Sequence, residues 1–238
     1  MVGLGSENLD GSPAFVIRWT GMLEQTPKST IPESFLEHRH TFATPWVDLW
    51  KIANPFIGVL FPIVRKWGVA LTDFSFNKDA TNVGEAYMNV AVRNLNAALR
   101  VGLDNVTYIA ANPDWTMAPQ LVELFDAIAS SVGKFVEQAP ITQQLTLAFH
   151  VTAGDIDLQT ASTQLVNREL LGEAEFFGIS LHQKNGSIVI DKSLRYENAA
   201  FIRLQRNFPG LTTFAEIVPQ IYEEEVKTLS LIGITGVV

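Results

Sequence analysis

The sequence predicts an α+β fold in which a largely antiparallel sheet carries its helices on one face. Three observations lead there. Apolar and polar residues alternate with period two along much of the chain, as where Leu145, Leu147, Phe149 and Val151 interleave with Thr146, Ala148, His150 and Thr152. Clear stripes at i, i+3, i+4 occur over only two long segments, 117–137 and 214–231. Strands that alternate bury one side only, so their helices belong on a single face rather than on both faces of a parallel sheet.

Taken in order, the expected strands begin with 15–20, where Phe15, Ile17 and Trp19 alternate with Val16, Arg18 and Thr20. A short helix over 45–54 follows, then strands over 69–76, 87–93, 98–103 and 106–111, with Asp104-Asn105 turning the last pair. The stripe Leu121, Leu124, Phe125, Ile128, Val132, Phe135 and Val136 makes a helix over 117–137. Asp114 or Thr116 is expected to cap it, and Pro119 sits harmlessly in its first turn. The second half offers a strand over 145–152, a helix over 157–171 ended by Gly172, and strands over 175–182, 187–194 and 200–206. Lys184-Asn185-Gly186 joins two of these, Asn-Gly being the strongest short hairpin signal. Thr213 and Glu216 form a capping box ahead of the last helix, in which Pro219 marks a kink or the true start.

This order reads as two β-α-β-β-β-α pseudo-repeats, residues 13–140 and 141–238, in one domain behind a flexible N-terminus over 1–12. Short echoes fall in matching places, such as Asn96-Ala-Ala with Asn198-Ala-Ala and Ala118-Pro-Gln-Leu with Val218-Pro-Gln-Ile. In outline the arrangement resembles saddle-like, ferredoxin-like duplications. One block runs strand, Asp-Asn turn, strand, Asn112-Pro-Asp-Trp115 opening a helix, and the strand at 145–152. It resembles a sporadically distributed, uncharacterised microbial family over Ala98 to Thr152. That resemblance supports the fold and implies no activity.

Composition narrows the function classes. The 238 residues hold 17 Lys+Arg against 25 Asp+Glu, a net charge of −8, so the clustered cations of a nucleic-acid binder are not expected. Hydrophobic residues make up 47% and charged ones 18%, which suits a buried core rather than disorder. The absence of cysteine removes disulfides, thiolate metal sites and cysteine nucleophiles. Met1 to Ser12 lacks the basic start and apolar run of a signal peptide. The apolar run Ile52–Val64 holds Pro55 and Pro62 and is too short to span a bilayer. A soluble, cytoplasmic chain without a membrane partner is therefore expected. No dinucleotide fingerprint, phosphate loop, His-Glu-x-x-His, EF-hand or Gly-x-Ser-x-Gly elbow occurs, so no cofactor is expected.

The candidate chemistry is sparse. His38 and His40, beside Glu37 and Arg39, form the one metal-like local cluster, with His150 or His182 as a third ligand. They are expected instead in a polar loop between Pro32 and Pro45, with no metal. The carboxylates Asp155/Asp157, Glu173/Glu175 and Glu223–Glu225 fall where caps and solvated faces are expected. The arginines are more telling. Of nine, Arg18, Arg93, Arg100 and Arg203 fall inside expected strands, each opposite the apolar residues. Together with His150 they outline a polar sheet face suited to carboxylate or phosphate.

The expectation is a non-catalytic module that binds a small anion or an acidic protein partner through Arg18, Arg93, Arg100, His150 and Arg203. The alternative is a cofactor-free enzyme with a polar pocket around His150. A homodimer is also expected, because charge is low and because Phe56 to Val64 reads as an exposed apolar patch broken by two prolines.

Overall fold

The computed structural model describes residues 29–46, 55–77, 85–113, 115–152, 178–210 and 212–234. The expected strand over 15–20 with Arg18, most of the helix over 45–54 and the helix over 157–171 lie outside them. The described residues hold nine strands: β1 (Glu33–Thr41), β2 (Phe74–Phe76), β3 (Met88–Val92), β4 (Ala97–Val101), β5 (Asn105–Ala111), β6 (Thr142–Thr152), β7 (Ile179–Gln183), β8 (Gly186–Lys192) and β9 (Ala199–Phe208). They form one sheet in the order β2-β3-β4-β5-β1-β6-β9-β8-β7, antiparallel throughout. Among the described residues three helices accompany it, α1 (Pro55–Val64), α2 (Ala118–Val136) and α3 (Phe214–Leu231). The fold class is α+β with an antiparallel sheet, as the alternation predicts.

Alternation also decides which face is covered. Leu99, Tyr108, His38, Leu145 and Arg206 stand in one row across neighbouring strands, and Leu36, Leu147, Leu204 and Ile188 in the next. All nine are buried, and the apolar ones among them belong to one hydrophobic cluster running from Leu36 to Ile234. The helices lie on this face. Phe125 of α2 meets Tyr108 with ring centroids 4.9 Å apart, and Phe214 of α3 stacks on His38 at 5.4 Å. Apolar residues of one face gathered under amphipathic helices supply the main driving force.

Two expectations are corrected in the first half. Residues 33–41, expected as a polar loop, are the central strand β1. Its covered face reads Leu36, His38 and His40, so two of three inward residues are histidines and the alternation looks polar. The segment Pro55–Val64, expected as an exposed patch, is helix α1. Phe56, Leu60 and Val64 are buried at i, i+4, i+8, and Phe56 packs edge-on against Phe135 of α2. Pro55 occupies the first helical position, where its missing N–H costs nothing. The apolar run therefore serves the core of the same chain.

Local chemistry explains the remaining boundaries. β2 is shorter than 69–76 because Asp73 accepts the Ala70 amide at 2.8 Å and closes a 3-10 turn over Leu71–Asp73. In the β7–β8 hairpin, Gln183 pairs with Gly186, so Lys184 and Asn185 make the turn. Gly186 is required for another reason: a Cβ there would lie 1.9 Å from the Gln205 carbonyl oxygen. Pro219 neither starts nor visibly ends α3, which runs on from Phe214 with the expected Thr213/Glu216 capping box. α2 starts without a side-chain cap at Met117.

Asp126 of α2 joins the two long helices. Its carboxylate accepts the Phe214 amide at 2.7 Å and the Ala215 amide at 3.2 Å, two donors that the first turn of α3 leaves open. Asp126→Ala should lower stability by about 1–2 kcal/mol in urea unfolding, the usual worth of a helix cap. A loss indistinguishable from zero would mean the cap is redundant with Thr213.

Candidate functional site

Both sheet faces carry polar groups at their centre, and the two differ in kind. On the covered face, Gln143 of β6 orders a buried cluster. Its Nε2 lies 3.2, 2.9 and 2.8 Å from the carbonyl oxygens of Pro209, Gly210 and Thr212, so this end is the amide N–H₂. Its Oε1 then faces His38 Nε2 at 2.9 Å, which makes that nitrogen the donor. His40 Nε2, 3.2 Å from His38 Nε2, accepts from the same proton and carries its own on Nδ1. One glutamine thereby sets both tautomers.

Burial works against charging this pair. It pushes His38 down to about 4 and His40 down to about 3, the latter also through repulsion by His38. Both are neutral at pH 7. His38 Nδ1 and the Tyr108 hydroxyl, on register-paired residues, are buried with no hydrogen-bond partner among the described residues. Burial raises the Tyr108 phenol far above its ordinary value. Among the described residues no group of three His, Asp or Glu is arranged to hold a metal ion. The cluster ties β1, β6 and the β9–α3 connection together rather than presenting chemistry outward.

The open face is where the arginines gather. Register places Asn89, Arg100, Thr107, Arg39, Gln144 and Asn207 in one row. Phe35, Ala148 and Arg203 stand in another. Arg39, Arg100 and Arg203 are exposed, and Phe35 is 38% exposed. Strand spacing sets Arg39 roughly 10 Å from Arg100 and roughly 17 Å from Arg203. Arg100 lies over the Tyr87 ring at 4.5 Å. None of the three makes an ion pair among the described residues, although Glu37 and Asp191 share their face. Three other arginines are paired: Arg93 with Asp73, Arg195 with Glu33 and Arg206 with Glu224.

The predicted site residues therefore divide. Arg100, Arg203 and His150 share the open face. Arg93 lies just past β3 in the 3-10 turn Arg93–Leu95, engaged with Asp73 at 3.4 Å, and Arg18 is outside the described residues. No family model and no curated protein matches the chain. The resemblance of 98–152 accordingly brings no family assignment, and the site stands on its geometry. No helix among the described residues is long and apolar enough to cross a membrane.

Around His150 the structure builds a tight corner. Its Nδ1 is 3.0 Å from Ser193 Oγ, and its ring meets Tyr196 and Phe201 at 5.2 and 5.1 Å. Ser193 is 4% exposed, and its oxygen accepts the amides of Arg195 at 3.1 Å and Tyr196 at 2.9 Å. A serine nucleophile needs a reachable oxygen, which this one lacks. Glu33 is held by Arg195 and by the Tyr196 hydroxyl, at 2.5 and 3.3 Å. Ser193, His150 and Glu33 thus have the geometry of a fastened turn.

Sequence reasoning missed Arg39, Phe35 and Glu33 because all three lie on β1. Counting His38 and His40 as inward residues would have revealed the strand and put Phe35, Glu37 and Arg39 on its other face.

Proposed function

We propose that the chain is a binding module whose open sheet face takes an acidic segment of a partner protein. One observation carries this reading: in an acidic chain, three exposed arginines share one face without a carboxylate partner among the described residues, while Arg93, Arg195 and Arg206 are each paired with one. Leaving guanidinium groups unpaired beside available carboxylates suits recognition of an external one. Separations of roughly 10 and 17 Å exceed a single small anion and match carboxylates spaced along a polypeptide. Phe35, across Ala148 from Arg203, offers that segment an apolar anchor. An aromatic and an arginine together are typical of the residues that dominate binding energy.

The test uses a fluorescein-labelled glutamate-rich peptide and its lysine-rich counterpart. Arg39→Ala and Arg203→Ala should each weaken the glutamate peptide about tenfold, worth ~1.4 kcal/mol. Stability should stay within about 0.5 kcal/mol, as for exposed substitutions generally. Arg65→Ala, at the end of α1, serves as the control and should bind normally. Equal binding of both peptides, or binding unchanged in the Arg39/Arg100/Arg203 triple alanine variant, contradicts the reading.

The pseudo-repeat belongs to the same proposal. Counting outward from the centre, β1 is followed by β5, β4 and β3, and β6 by β9, β8 and β7, with α2 and α3 closing the two halves. This order supports a duplication about the β1–β6 pair. The short echoes do not, since Asn96 precedes β4 and Asn198 precedes β9, which hold different places in that count. Self-association now rests on low charge alone.

A further inference from the structure

We propose that His150 is the directional hydrogen-bond donor of the open face, a neutral imidazole held as its Nε2–H tautomer by Ser193, which reads a carboxylate or carbonyl oxygen of the acidic segment beside Arg203. The inference rests on the binding reading above for its ligand, and on local geometry for its chemistry.

The proton assignment follows from counting. Ser193 Oγ has two acceptor sites, and the Arg195 and Tyr196 amides fill both, at 3.1 and 2.9 Å. Its single proton is left for His150 Nδ1, 3.0 Å away. Nδ1 therefore accepts, and in the neutral ring the proton sits on Nε2. Nε2 has no partner among the described residues and is not among the buried unsatisfied atoms. The ring is half-buried between Tyr196 and Phe201, which limits its rotation.

The loop that supplies Ser193 and Tyr196 is itself anchored. Arg195 and the Tyr196 hydroxyl hold Glu33 at the start of β1, and Glu33 is the register partner of His150. His150 pairs with Phe201, two residues from Arg203 on β9. The imidazole N–H and a guanidinium thus stand side by side on one face, a directed donor next to a bidentate cation. Ser193 is a positioning residue here, acting only through the ring it orients.

Long-range ¹⁵N–¹H NMR of the histidine side chains at neutral pH tests the assignment without any ligand. The expected spectrum shows His150 as Nε2–H in the wild type and as a tautomer mixture in Ser193→Ala, with Ser193→Thr retaining the wild-type pattern. Peptide titration tests the role: His150→Ala and Ser193→Ala should each weaken the glutamate-rich peptide about fivefold, and His150→Gln, which restores an N–H at that reach, should recover most of the loss. An Nδ1–H or a charged His150 in the wild type overturns the proposal. So does unaltered affinity in His150→Ala while Arg203→Ala still weakens binding, an outcome that leaves the arginine reading standing. If the wild type fails to bind the peptide, the donor role falls with that reading, while the tautomer is still decided by the spectrum.

Discussion

Urea unfolding between pH 6.5 and pH 4.5 should show stability falling by as much as about 5 kcal/mol, a large part of the ~5–15 kcal/mol of an ordinary domain. The cause is the buried pair His38 and His40, held down to about 4 and about 3 in the folded chain. Unfolded histidines take up protons from about pH 6.5, whereas the folded ones stay neutral, so the unfolded state binds more protons as pH falls. Stability is therefore full above that range and declines towards the folded values. Asp73 and Glu216, lowered by hydrogen bonds from Ala70 and Thr213, lose their contributions only in the more acidic carboxylate range. The window above pH 4.5 thus isolates the histidines. His40→Leu should roughly halve the slope while keeping His38 on Gln143. Stability that is flat from pH 6.5 to 4.5 would mean the imidazoles reach water.

Gln143→Leu should cost about 3–5 kcal/mol, the largest loss expected of any single polar side chain among the described residues. The substitution keeps the volume but removes the N–H donors for the carbonyls of Pro209, Gly210 and Thr212 and the acceptor for His38. Buried groups left unpaired cost roughly 1–3 kcal/mol each. No rearrangement of the connection relieves them easily, because Gly210 packs so closely that a Cβ would lie 1.7 Å from the Pro140 carbonyl oxygen. Gln144→Leu, one residue on and facing the open side, should change stability by less than about 1 kcal/mol. Equal losses at 143 and 144 would show that the glutamine is not the keystone of the covered face.

What could be read from the chain follows from physical pattern. The strands at 88–92, 105–111, 142–152 and 199–208 and the helices α2 and α3 were legible because each repeats one period over enough residues. β1 was not, since the inward places of His38 and His40 look polar until Gln143 is known to satisfy them. α1 was hidden by its two prolines, Pro55 at the first helical position, where it is tolerated, and Pro62 inside the helix, where it costs a backbone hydrogen bond. Arg100, Arg203 and His150 were correctly placed on the polar side of their strands, whereas Arg93 needed the unforeseen turn at Asp73. Ser193 carried no sequence signal: its role exists only because a loop folds back onto β6 and β1.

Backbone-amide NMR of the whole chain, recorded while the glutamate-rich peptide is added, tests the central claim most directly. Binding to the open face predicts shifts clustered on β1, β4 and β9, around Phe35, Arg39, Arg100 and Arg203, with α2 and α3 unmoved. Shifts confined to the helical layer, or none along those three strands, would contradict it.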